Sequence, residues 1–138
     1  MKQSITPDKE KAESLRKMAD VSKERLDSLN KTKYPSNTLK DYYDIIHMLM
    51  EAITSEKGVK LGGEGAHQQL IEYIVKEGII NEKERTFLQA MRDFRNRIAY
   101  EGFMISEDYI SANQSEIDII IGKLKTKHPN LSVKNKTV

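Results

Sequence analysis

The segment RDFRNRIAYEG, residues 92–102, gathers side chains suited to chemistry on an anion. Arg95 offers a permanent cation with a planar fork of donors that matches a phosphate, and Asn96 beside it could orient that fork or its ligand. Tyr100 adds a hydroxyl, and Arg92 a second cation. On a helix, Arg92, Asn96 and Tyr100 recur at i, i+4 and i+8 and make a polar ridge, while Arg95 falls at the edge of the apolar stripe of Leu88, Met91 and Phe94. A guanidinium in that position needs a partner or a cleft. At ~100° per residue Arg95 and Tyr100 diverge by about 140°, so one straight helix does not converge their tips, whereas two copies across a twofold axis could. The plain alternative is a solvated helix face with ordinary ion pairs to Asp93 or Glu101.

Other chemistry-bearing residues are sparse. His47, His67 and His128 lie on separate segments with no i, i+4 pair, and cysteine is absent, so no metal site is expected and nothing calls for a cofactor. His67 falls in the first turn of an expected third helix, on the side of Ile71 and Ile74, which suits a packed or capping neutral histidine; it is kept as a candidate ligand-binding residue beside Arg92, Arg95, Asn96 and Tyr100. The glycines of KLGGEG could cradle an anion ahead of a helix, but the segment lacks the lysine and hydroxyl of a P-loop and follows no recognisable strand. An interhelical turn is the expectation there.

Five helices must position these residues. Prolines occur only at 7, 35 and 129, leaving long uninterrupted stretches between them. From Pro7 to Asn30 a thin seam of Ala12, Leu15, Ala19, Leu26 and Leu29 predicts a surface helix. A second helix, capped by Asn37 or Thr38 and running to about Lys57, carries Leu39, Tyr42, Ile46, Leu49 and Ile53, widened by Tyr43, Ile45 and Met50; so apolar a helix should be central. The third runs from about Ala66 with Leu70, Ile71, Ile74 and Val75 inward and Gly78 at its end. Asn81 and Glu84 have the spacing of a capping box for the fourth, whose core face is expected to be Phe87, Met91, Phe94 and Ile98, with Gly102 as its stop. Ser106 begins the fifth, with Ile110, Ile117, Ile120, Ile121 and Leu124 inward. No alternating strand of useful length, repeat or low-complexity tract is visible. The fold class is all-α: an up-and-down bundle of about five helices around a four-helix core, in a single domain spanning residues 1–138. Residues 1–36 form an N-terminal helix and turn, and 126–138 a basic, solvated tail.

The 23 basic residues nearly balance the 21 acidic ones, and a net charge of +2 selects no partner. No apolar run approaches the ~20 residues of a membrane helix, and the charged N-terminus does not look like a signal peptide. A cysteine-free chain of this kind is expected in the reducing cytoplasm, away from membranes.

From about Leu39 to Lys125 the sequence resembles the HEPN superfamily of prokaryotic helical-bundle proteins: DYYDIIHMLMEAITSEKG resembles the family's second helix, GAHQQLIEYI its histidine-headed segment, and RDFRNRIAYEG its signature. Many members are metal-independent endoribonucleases with an arginine, an adjacent polar residue and a histidine a few positions on. Arg95 and Asn96 match the first two, and Tyr100 stands where the histidine would be. Tyrosine, with a pKa near ~10, is a poor base near neutral pH, so the departure discounts catalysis by Arg95, Asn96 and Tyr100. The resemblance therefore implies a non-catalytic module that binds RNA, a nucleotide or a small nucleotidyltransferase, as in toxin–antitoxin-like systems; a homodimer is expected from the wide apolar surface of the second and fourth helices and from the divergence of Arg95 and Tyr100 on one helix. A ribonuclease in which Tyr100 or His67 replaces the usual histidine, and a purely structural oligomerisation bundle, are the alternatives.

Overall fold

The computed structural model describes residues 2–126 and forms five helices with one short two-stranded sheet. Helix α1 spans Lys9–Asp27, α2 Pro35–Lys57, α3 Ala66–Lys76, α4 Glu82–Glu101 and α5 Glu107–Lys125; strands β1 (Lys2–Ser4) and β2 (Val59–Leu61) flank the first two helices. The all-α bundle expected from periodicity is thus present. Helix α2 is its hub and packs against each of the other four, as its broad apolar surface demands. One core cluster unites residues of all five helices, among them Leu26, Tyr42, Ile46, Ile71, Leu88 and Ile117. No helix among the described residues is long and apolar enough to cross a membrane. Most of the basic C-terminal segment lies outside the described residues.

Local signals explain most boundaries. Asn81 accepts from the Glu84 amide at 2.8 Å while the Glu84 carboxylate accepts from the Asn81 amide at 2.9 Å, completing the capping box of α4. Gly102, at φ 68°, closes the same helix in the left-handed conformation that a side chain would resist. The start of α2 departs from expectation: the helix begins at Pro35, whose fixed φ and missing amide hydrogen suit a first helical position. Thr38 therefore lies inside the first turn, buried, and donates its hydroxyl to the Lys31 carbonyl at 2.7 Å. On α1 the buried seam is Ala12, Ala19 and Leu26; Leu29 lies beyond the helix end and is half-exposed.

The expected core face of α4 also needs correction. Leu88 and Met91 are fully buried, whereas Phe87, Phe94 and Ile98 pack only at the margin of the core. From Arg92 to Glu101 no residue is fully buried. The cause is length: α3, with 11 residues, spans ~16 Å, while α4, with 20, spans ~30 Å, so the second half of α4 outruns its neighbour.

The sheet has no counterpart in the sequence reading, because three-residue strands are too short to show alternation. Strands β1 and β2 pair antiparallel, with Lys2 opposite Leu61 and Ser4 opposite Val59. The strap continues with Ile5 donating to the Gly58 carbonyl and Asp8 to the Ser55 carbonyl, both at 2.8 Å. It crosses the end of α2 so closely that a Cβ on Gly58 would sit 2.4 Å from the Ile5 carbonyl oxygen. The glycine-rich segment thus follows a strand after all, and its Gly65 leads into α3 without a side-chain cap.

Candidate functional site

Where α4 outruns α3, Arg92 and Arg95 come near α2. Arg95 lies three-quarters buried and pairs loosely with Asp44, Nη2 to Oδ1 at 3.6 Å. Arg92 donates from Nε to the Gln89 side-chain oxygen Oε1 at 3.3 Å and meets the Asp93 carboxylate at 3.2 Å. Both cations act on Tyr43, whose ring is fully buried next to Asp44 on α2. Burial pushes the Tyr43 hydroxyl up to about 12, against the opposing pull of Arg92 and Arg95, so it keeps its proton at neutral pH.

Three buried side-chain polar atoms have no partner among the described residues: the Tyr43 hydroxyl, Gln89 Nε2 and Arg95 Nε. Each can donate a hydrogen bond; Tyr43 stands on α2, and Gln89 and Arg95 on α4. Leaving such a group unpaired typically costs ~1–3 kcal/mol, so each of these donors calls for an acceptor.

Two histidines adjoin this face. His47 follows Tyr43 by one turn of α2, and the first turn of α3 brings His67 against both: ring centroids are 4.3 Å apart for His47 and His67 and 6.4 Å for Tyr43 and His67. Burial holds His47 below its ordinary pKa; Glu51 and Asp44 oppose that shift, while His67 and Arg95 reinforce it. His47 Nδ1 lies 3.7 Å from the Glu51 carboxylate. His67 is exposed rather than packed into the core, although its ring lies against His47, and that meeting was invisible to a spacing argument because the two sit on different helices. No group of three histidine, cysteine, aspartate or glutamate side chains among the described residues is placed to hold a metal ion.

The polar ridge read from i, i+4 spacing does not act as one unit. A step of four residues advances the helix by ~400°, so the ridge drifts ~40° at each repeat and ~80° from Arg92 to Tyr100. Arg92 joins Arg95 at Tyr43, whereas Asn96 opens onto a separate shallow groove with Ala90, Asp93, Phe94 and Arg97. Tyr100 is 80% exposed. Arg97 stacks 3.9 Å above the Phe103 ring and meets Glu101 at 3.5 Å, one of the ordinary ion pairs expected of a solvated face.

No protein-family model matches this chain, and no curated protein or solved structure matches it.

Proposed function

We propose that this protein is a non-catalytic, HEPN-like module that binds a phosphate-bearing ligand, RNA or a nucleotide, on the face shared by α2 and α4. The observation that carries the reading is the set of unpaired donors on Tyr43, Gln89 and Arg95 beside the Arg92 guanidinium. Phosphate oxygens are pure acceptors with negative charge, and they satisfy hydroxyl, amide and guanidinium donors together. Arg95 is the principal contact, Tyr43 and Gln89 the flanking donors, and Arg92 the supporting charge. The sequence resemblance alone carries the further proposal of a small nucleotidyltransferase as partner. A homodimer is proposed for this module because Tyr100 and Met104 stand 80% and 81% exposed at one end, and a twofold mate is the simplest way for Tyr100 and Asn96 to reach a second copy's arginines.

The test is fluorescence anisotropy of a labelled structured RNA with the full chain and with Arg95→Ala, in chelator. Binding by wild type that weakens roughly 10- to 100-fold in the variant, as loss of a charge-assisted contact predicts, supports the reading. Equal affinity of the two proteins, or no binding by wild type, overturns it.

A metal-independent ribonuclease is the second reading, and the His47–His67 pair beside Arg95 favours it, because imidazoles can manage protons near neutral pH. It assigns His67, not Tyr100, to the usual histidine's role. Cleavage of the same RNA that disappears in His67→Ala would replace the binding-module reading with this one.

A further inference from the structure

Behind the histidine pair, away from the unpaired donors of α4, a cavity of about 420 Å³ opens between the N-terminal strap, α2, β2 and the start of α3. His47 and His67 form part of its wall, Glu51 stands beside them, and Lys11 and Lys60 lie at its edge. Neither lysine ammonium is paired with a carboxylate among the described residues, although ion pairs are common elsewhere on this surface, as at Lys23–Asp27 and Arg85–Glu72. Two unpaired cations and two imidazoles that can gain protons thus surround one concave space, opposed by a single carboxylate.

We propose that this cavity is a second anion site, which takes a phosphate or sulfate group between Lys11, Lys60 and the His47–His67 pair and gains a proton on the pair as it does so. Burial disfavours a proton on His47, and the His67 ring, tilted 31° with its centroid 4.3 Å away, adds to that when charged; an anion in the cavity offsets both. The charged groups around His47 set the balance: burial, His67 from α3 and Arg95 from α4 disfavour its proton, while Glu51 and Asp44 from α2 favour it, and Lys11 from α1 and Lys60 from β2 line the same cavity. Binding and protonation are therefore linked, and the affinity rises as pH falls.

The site differs from the arginine face in its residues, its cavity and its response to pH, so it stands or falls independently of the RNA-binding reading. Sulfate is the suitable probe because it remains a dianion across the range in which histidine titrates. The experiment follows the imidazole resonances of full-length Arg95→Ala protein, which lacks the principal arginine contact, as sodium sulfate is added at pH 8 and at pH 6. We expect saturable shifts of the His47 and His67 signals, with affinity about tenfold tighter at pH 6, a value below the limit of tenfold per pH unit for uptake of one proton. Lys60→Ala in that background, a change at an exposed residue that leaves the core intact, should weaken binding at both pH values, and His47→Gln should remove the pH dependence. Imidazole signals that ignore sulfate, or an affinity that Lys60→Ala leaves unchanged, would overturn the proposal. So would shifts seen in wild type and lost in Arg95→Ala, because the anion would then belong to the arginine face.

Discussion

Tyr43 shows how one side chain links stability to the proposed site. Its ring fills the core of α2 while its hydroxyl faces the arginines of α4 without a partner. Removing an unpaired buried hydroxyl should relieve a desolvation cost, so Tyr43→Phe is expected to leave the free protein as stable as wild type or up to ~1 kcal/mol more stable in urea denaturation. The same change should weaken RNA binding several-fold. A destabilisation above ~1 kcal/mol would mean that the hydroxyl is already satisfied in the free protein. Sequence spacing identified Arg95 as a guanidinium in need of a cleft, and that much was legible because its angle to the apolar stripe is a local property of one helix. The identity of its surroundings was not: Tyr43 and His47 come near Arg95 only through the packing of α2 against α4.

Among the elements, the helix ends follow local chemistry and the strap does not. Asn81→Ala removes half of the α4 capping box and is expected to cost about 1 kcal/mol in urea or thermal denaturation. The partner half matters to the bundle as well, because the buried Glu84 also accepts from Lys123 of α5 at 2.8 Å. Gly58→Ala should be worse than a usual glycine-to-alanine change. It forces a left-handed residue to carry a Cβ and drives that atom into the Ile5 carbonyl, so a loss of roughly 2–3 kcal/mol is expected, together with faster amide exchange in β1. An exchange pattern unchanged in β1 would show that the strap accommodates the methyl without moving. Gly102 and the capping box could be read from residue type alone; Gly58 could not, because the atom it makes room for lies more than fifty residues away in the chain.

For the whole molecule, pH should act from both sides. His47 has its pKa depressed in the fold, so the folded chain resists a proton that the unfolded chain accepts. Stability is then full above the unfolded histidine pKa of ~6.5 and declines as pH falls from there toward the lower folded value. At the alkaline end Tyr42, Tyr43 and Tyr73 are each raised by burial from 10.0 to about 12. The unfolded chain loses those protons first, so stability should drop between pH 10 and about 12 and tyrosinate absorbance should appear together with unfolding. Urea midpoints across the pH range check both limbs, and His47→Gln should flatten the acid one. Sedimentation of the full chain at micromolar concentration tests the proposed homodimer, with a monomer alone counting against it.

Helix number, the central place of α2 and most helix ends were determined by the sequence itself, because a 3.6-residue period, a capping pair or a terminal glycine is written within a dozen consecutive residues. Tertiary structure alone decided the rest: the exposure of the second half of α4, the strand pairing across the end of α2, the separation of Asn96 and Tyr100 from Arg95, and the meeting of His47 with His67. Each depends on how far one element extends past another, and that is set by relative helix lengths and packing, which no local period encodes.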